Sequence, residues 1–412
     1  MSRNLSGRWA KLCLFCLANL FGGSVYAWSV FAVPIAQKLA GSGVAATPAD
    51  LSFAFSIAMA GTPIGMVAGG WLNDRFGPRV SHPFGAAFMF AGLFLASHAP
   101  SVLLVNLAYG LIYGIGSGAN FTSATGNAIR LFPERRGFAS GLAAMAFGMS
   151  SIIAPLAAAF LMERLGAETG VTVFAAAVAL AVASCGLAAK SVPGIGEKKA
   201  PAASPADLEW RSMLATPAFW LLFFFMATET MAGMTLFSQM AAIAKTQIGL
   251  ASVMAALSVS MLAAANTGGR FIAGAASDRF GRIPTLIGMT ASGAAGLALL
   301  WAAGEGDAAL FFAGLVLTGL PFGGFMGIYP SEVADLFGPR HISMNYGLMA
   351  FSYAVSGFIG PFVLQSFASG ADFSGAYAAL LAVTAAGLVI GLAAIPAERR
   401  RKAQIRAKEG AR

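Results

Sequence analysis

The chain has 412 residues, of which 58% are apolar and only 10% charged. A soluble domain carries roughly a quarter of its residues as charges, so an ordinary globular enzyme is excluded, as are a disordered chain and a collagen-like fibre, and lipid is the expected surrounding. The net charge of +9 would suit a nucleic-acid partner in a soluble protein, but the placement of the basic residues argues against one. Cys13, Cys16 and Cys185 all lie in apolar stretches, which speaks against a disulfide framework. The Cys13-x-x-Cys16 spacing lacks the second pair or nearby histidine of a metal or redox centre. No metal and no cofactor are expected.

A hydrocarbon core of ~30 Å takes about 20 apolar residues as a helix. Twelve stretches meet that length, near 12–35, 51–72, 80–98, 102–129, 137–162, 170–189, 216–243, 250–276, 283–303, 308–331, 342–368 and 373–396. They are numbered below as spans 1 to 12. Span 1 follows Arg3, Arg8 and Lys11 as a secretory leader would, yet it is too long and has no clear small-residue cleavage site, so it reads as a retained helix. Lys and Arg gather on the cytoplasmic side of membrane proteins. With the N-terminus inside, 22 of the 26 basic residues fall in inner segments, Lys38, Arg164 and Lys245 fall outside, and Arg270 alone is left within a span. Both termini are therefore expected in the cytoplasm. The run Arg399-Arg400-Arg401-Lys402 follows directly on span 12 and most simply anchors it, in reach of anionic lipid.

The longest polar stretch, 190–211, divides the spans six and six, giving an N-terminal bundle (1–189), a cytoplasmic linker (190–211), a C-terminal bundle (212–396) and a basic tail (397–412). The halves repeat each other. Gly70-x-x-x-Asp74-Arg75-x-Gly77 after span 2 recurs as Gly274-x-x-x-Asp278-Arg279-x-Gly281 after span 8, with the aspartates 204 apart. Leu131-Phe132-x-x-Arg135 recurs as Leu336-Phe337-x-x-Arg340, 205 apart, and Ser151-x-x-x-Pro155 as Gly357-x-x-x-Pro361, 206 apart. Two six-helix halves related by an axis along the membrane normal are the plan of one large transporter class, with the substrate near mid-membrane between them. The expected fold is an all-α membrane protein of twelve transmembrane helices in two pseudo-symmetric bundles.

The Gly-x-x-x-Asp-Arg-x-Gly loops resemble the cytoplasmic motif of the major facilitator superfamily, and the likeness covers essentially the whole chain. More narrowly, Tyr26-Ala27-Trp28-Ser29-Val30-Phe31 in span 1, Phe132-Pro133-Glu134-Arg135-Arg136-Gly137 before span 5, Asn345-Tyr346-Gly347 in span 11 and an arginine in span 8 resemble the oxalate/formate antiporter family and its relatives, the monocarboxylate transporters.

An ionisable side chain at the centre of a membrane helix costs roughly 2.5–3.5 kcal/mol on translocon scales, which makes it a functional candidate by default. Two stand out, Arg270 in span 8, with Asn266 one turn before it, and Glu229 in span 7. Counting from the inner ends at 1.5 Å per residue puts Glu229 at about 20 Å and Arg270 at about 12 Å. Their Cβ directions lean them toward each other, so one reading is a structural arginine tied to Glu229 or to helix carbonyls. The other is that Arg270 grips a carboxylate in a two-point fork, the role that the resemblance implies for it. Glu229 is then either a proton carrier or a structural partner of Arg270. Members of the resembled family that carry dianions have a lysine in span 11, whereas this chain has Phe351-Ser352-Tyr353-Ala354-Val355-Ser356 there, which favours a monocarboxylate.

Tyr26, Trp28, Ser29, Asn120, Thr122, Asn127, Thr230, Tyr329, Tyr353 and Ser356 are polar or aromatic residues in otherwise apolar spans 1, 4, 7, 10 and 11. Each reads as a packing residue or a ligand, and the resemblance implies that these spans line the cavity. Among them Asn120, Tyr26, Trp28, Tyr329, Tyr353 and Ser356 join Arg270 and Asn266 as the expected substrate contacts. Asp74, Arg75, Arg79, Asp278, Arg279 and Arg282 are expected at an inner gate, since a carboxylate at a helix end can hold its partner in one access state and release it in the other; a positive-inside anchor explains the arginines equally well but not the aspartates. His82, His98 and His341 sit near span ends and are assigned surface or loop chemistry. The expected function is proton-coupled symport of a lactate- or pyruvate-like monocarboxylate by a monomer in the cytoplasmic membrane. Carboxylate exchange and a non-transporting anion receptor are the alternatives, the latter disfavoured by the absence of a soluble domain outside the spans. An enzyme is disfavoured because no metal or nucleophile cluster lies in the helices.

Overall fold

The computed structural model describes residues 2–47, 50–190, 192, 204–367 and 372–410. Twelve spans stand where hydropathy places them. Span 1 comprises Ser2–Gly22, a 3-10 turn Gly23–Ala27 and Trp28–Gly41. Spans 2 and 3 are Phe53–Phe76 and Pro78–His98, and span 4 joins Val102–Leu107, a π-helical turn Ala108–Tyr113 and Gly114–Leu131. Spans 5 and 6 are Arg136–Leu165 and Ala167–Ala189. A short helix, Trp210–Leu214, precedes spans 7 to 10 at Pro217–Thr246, Ser252–Phe280, Arg282–Ala302 and Ala308–Phe337. Span 11 is Ile342–Met349 with Phe351–Phe367, and span 12 is Ser374–Gly410. Ten of these are long and apolar enough to cross a membrane by themselves. The two others are span 8, which carries Asn266, Arg270, Asp278 and Arg279, and span 11, which is interrupted at Ala350.

Two of the boundaries differ in a way that matters. Span 10 was expected to end at 331, because hydropathy falls at Glu332 and Asp335; the helix continues to Phe337, which sets both carboxyls on it. Span 12 continues as helix through the basic tail to Gly410. Of the expected linker, residues 191 and 193–203 lie outside the described residues.

The repeated loop motif has a clear backbone reason. Its closing glycines, Gly77 and Gly281, take φ of 81° and 90°, a region that a side chain disfavours, and each amide closes the preceding helix, Gly77 on Asn73 O at 2.8 Å and Gly281 on Ser277 O at 3.1 Å.

The chain forms two compact units that depart from the sequence halves at two segments. Unit 1 holds residues 1–134, 146–203 and 337–350; unit 2 holds 135–145, 204–336 and 351–412. The start of span 11 thus packs within unit 1, and the start of span 5 within unit 2. In unit 1 the 3-10 turn of span 1 is held by span 4, whose Tyr109 hydroxyl donates to Val25 O at 2.8 Å, Ser117 to Gly22 O at 2.8 Å and Asn120 Nδ2 to Ala18 O at 2.8 Å. Unit 2 is filled by Met231, Leu236, Leu262, Leu297, Phe311 and Tyr377, all buried in one cluster.

Candidate functional site

Span 8 buries Arg270 to 2% exposure. Its Nε and Nη2 both donate to Oδ1 of Asn266, one turn earlier, at 3.2 and 3.0 Å, and Nη1 donates to Ala144 O at 3.2 Å. The backbone around it is held close by glycine: a Cβ at Gly327 of span 10 would overlap the carbonyl oxygen of Arg270, and one at Gly323 that of Asn266. No carboxylate pairs with the guanidinium among the described residues, and Nδ2 of Asn266 is buried without a partner. Two donors that stand side by side are thus incompletely used. A buried cation without a counter-charge costs several kcal/mol.

The ion pair between Arg270 and Glu229 is not formed. Glu229, at 8% exposure, lodges against span 12 where Gly387 leaves the room: a Cβ there would overlap its Oε1. That oxygen makes no hydrogen bond of ordinary geometry among the described residues, and the Thr290 hydroxyl, likewise unbonded, is the group placed to supply one. Glu229 faces Gly387 of span 12, whereas Asn266 and Ala144 occupy the guanidinium.

The remaining expected contacts divide. Trp28 gives its indole N–H to Leu51 O at 2.8 Å and stacks on Tyr109. Tyr329 gives its hydroxyl to Leu222 O at 2.9 Å, Ser356 bonds Ala227 O at 2.6 Å and shares a 2.8 Å bond with Thr230, and Asn120 gives Nδ2 to Ala18 O at 2.8 Å while its buried Oδ1 has no partner. Expected as ligands, these four each have a donor committed to a backbone carbonyl in this structure. Tyr26 is half-buried between Phe55 and Phe147, and Tyr353 is half-buried and stacked on Phe322. Tyr26, Trp28 and Asn120 belong to unit 1, and Arg270, Asn266, Glu229, Tyr329, Tyr353 and Ser356 to unit 2.

At the inner ends of the spans the two loop aspartates do the same thing in their own units. Asp74 accepts from the amides of Ser343 and Met344 at 3.3 and 2.9 Å, capping the start of span 11, and from Arg130 Nη2 at 2.6 Å. Arg130 also reaches Pro339 O and Arg340 O at 3.0 and 2.9 Å. Beside it Asn73 and Asn127 exchange amide bonds at 3.1 and 2.9 Å, and Asn73 donates to Ser343 Oγ at 3.0 Å. In unit 2 Asp278 accepts from the amides of Gly137 and Phe138 at 2.9 and 2.7 Å, capping the start of span 5, and from Arg282 Nη1 at 2.6 Å. Arg282 Nε reaches Asp335 at 3.0 Å, which Arg136 also pairs at 2.7 Å. A carboxylate suits a helix start, where free amides point outward and the dipole is positive.

Arg282 is thus in the cluster as expected, whereas Arg75, Arg79 and Arg279 are exposed. Arg75 lies over Trp71 and Phe76, and Arg279 over Phe280, which fits the anchoring reading. Two cations of these clusters were missed: Arg130, which holds Asp74, and Arg136, which holds Asp335, looked like ordinary inner-loop charges. Glu332, placed beyond the end of span 10, is fully buried. So is His82, assigned to the surface, which packs on Phe15 with Nε2 unpaired. One signal was available, since the repeat offset of 205 aligns Asn127 with Glu332 and Arg130 with Asp335.

The chain was compared with known proteins. The profile of the Major Facilitator Superfamily matches residues 14–361 and 231–412. An uncharacterized MFS-type transporter of Escherichia coli, YhjX, is 27% identical over 349 residues, 84% of this chain and 85% of that one. The oxalate:formate antiporter of Oxalobacter formigenes is 30% identical over 362 residues, 86% and 84% of the two chains. Among solved structures the Escherichia coli fucose:proton symporter FucP superposes with a TM-score of 0.71 at 14% identity, over 93% of this chain and 98% of that one, which bears on the fold alone.

Proposed function

The chain belongs to the major facilitator superfamily, a multi-pass membrane transporter, and we propose that it moves a small monocarboxylate together with a proton across the cytoplasmic membrane. The observation that carries this reading is the buried Arg270 without a carboxylate partner, its fork steadied by Asn266 and Ala144. One guanidinium with an adjacent unspent amide matches one carboxylate, and span 11 brings no second cation in Phe351–Ser356. Glu229, buried with an unpaired oxygen, is the proton carrier in this reading, acting apart from Arg270 rather than through a direct pair. In this reading Asp74 and Asp278 cap the starts of spans 11 and 5 in one access state and release them in the other.

The test is uptake of labelled lactate into proteoliposomes under an inward proton gradient. Accumulation is expected in the wild type, a loss of more than tenfold in Arg270→Lys, which cannot form the fork, and loss of gradient-driven accumulation with retained exchange in Glu229→Gln. Normal uptake by Arg270→Ala overturns the reading. Exchange of two carboxylates is the second reading, favoured by the 30% identity to the oxalate:formate antiporter. It predicts accumulation only against preloaded acid, unaffected by Glu229→Gln.

A further inference from the structure

Spans 7 and 12 meet through glycine. On span 12 Gly387 and Gly391 are both buried and stand one turn apart, and each leaves a notch that span 7 fills. A Cβ at Gly391 would come within 2.6 Å of the Phe225 ring. A Cβ at Gly387 would stand 2.1 Å from Oε1 of Glu229, 3.0 Å from its Cδ and 2.6 Å from the Thr228 hydroxyl oxygen, all short of the ~3.5 Å at which non-bonded atoms pack. The two notches receive different things. Phe225 makes an apolar contact, whereas Glu229 is a carboxyl at 8% exposure whose Oε1 makes no hydrogen bond among the described residues. Small residues that let membrane helices approach need no polar side chain between them, so packing accounts for Gly391 but not for a carboxyl at Gly387. The Thr228 hydroxyl beside it is spent on the carbonyls of Phe224 and Phe225, at 2.9 and 3.0 Å. The Thr290 hydroxyl of span 9, buried and unbonded, is the group placed to meet the carboxyl.

We infer that Gly387 is the positioning residue of the Glu229 carboxyl: its missing Cβ admits Oε1 to the surface of span 12 and fixes the carboxyl between that helix and the Thr290 hydroxyl of span 9. The inference deepens the proton-carrier reading of Glu229 and rests on it. A functional group must be held within about 0.5 Å of its working place by its neighbours, and a glycine does this by leaving one place open. A methyl group at 387 closes that place. The carboxyl ends a flexible side chain, so it gives way before the helices part. Shortening the acid by one methylene, in Glu229→Asp, draws the oxygen back from span 12 and makes room for an alanine. Removing the Thr228 hydroxyl relieves only the other contact, and leaves the carboxyl displaced.

The test uses the full-length protein in proteoliposomes, with gradient-driven accumulation of labelled lactate and exchange against preloaded lactate read on the same preparations. Gly387→Ala is expected to lose gradient-driven accumulation and keep exchange, the pattern of a displaced carrier and not of a misfolded protein. Glu229→Asp alone is expected to weaken accumulation, and Gly387→Ala combined with Glu229→Asp to recover it, a non-additivity with the sign of a relieved contact. Two comparisons isolate the carboxyl. Gly391→Ala, one turn away on the same face, is expected to accumulate lactate as the wild type does, and Gly387→Ala combined with Thr228→Ala to stay deficient. Normal accumulation in Gly387→Ala overturns the inference, as do equal deficits in Gly387→Ala and Gly391→Ala. Recovery by Thr228→Ala and not by Glu229→Asp overturns it too, as does a loss of exchange in Gly387→Ala that Glu229→Asp leaves unrepaired. Wild-type accumulation in Glu229→Gln is a separate outcome: the proton-carrier reading itself has then failed, and the inference falls with it.

Discussion

Unit 1 and unit 2 use the same loop motif to grip the start of a helix, yet they surround the gripping aspartate differently. In unit 1 Asp74 meets a single guanidinium almost out of reach of water, with side-chain exposures of 6% for Asp74 and 4% for Arg130, and the neighbours are neutral amides. In unit 2 Asp278 is 18% exposed, and its cation Arg282 is shared with Asp335, which Arg136 holds as well. The first arrangement has one cation and no second to replace it. The second spreads the charge over a wetter network, where the loss of one link leaves others. Equivalent backbone geometry thus carries a single ion pair in one unit and a shared network in the other.

The comparison can be broken by substitutions on each side, read by thermal or denaturant unfolding of the purified protein in detergent. Arg130→Ala should have the largest effect, about 3 kcal/mol or more, because it leaves Asp74 buried with no counter-charge. Arg282→Ala should cost roughly half as much, since the Asp278 side chain is nearer water and Asp335 keeps Arg136; equal losses would show that the two networks are not different in kind. Asp278→Asn should cost about 1 kcal/mol, the value of a helix cap, and the loss should appear as earlier amide hydrogen exchange at the start of span 5 and not of span 11. Arg75→Ala and Arg279→Ala should leave unfolding unchanged, because both are exposed and lie over exposed ring faces.

Much of this was legible in the sequence, and the failures share a cause. Hydropathy located every span because each must satisfy its backbone within lipid, and the Asp74/Asp278 repeat was visible as an offset. Hydropathy also treats any charge as the end of a helix, which is why Glu332 and Asp335 were set outside span 10. Arg130 was counted as one basic residue among many, since nothing local tells a guanidinium that meets Asp74, 56 residues away in sequence, from one in a loop. The pairing of Glu229 with Arg270 failed for a different reason. Spacing along a helix gives depth, whereas the facing of a side chain is set by neighbours such as Gly387, whose lack of a Cβ cannot be tied to Glu229 from one sequence. Arg270 beside Asn266 was legible because their one-turn spacing fixes the contact within a single helix.

The 3-10 turn at Gly23–Ala27 has a consequence for how the protein is made. Span 1 leaves the ribosome long before span 4, and in hydrocarbon a poorly satisfied carbonyl costs several kcal/mol. The groups that settle Ala18, Gly22 and Val25 are Asn120, Ser117 and Tyr109, some 84 to 102 residues downstream. Until those arrive, the cheaper form of span 1 is an unbroken helix, so its bend is acquired late in biogenesis, when span 4 enters the bilayer beside it.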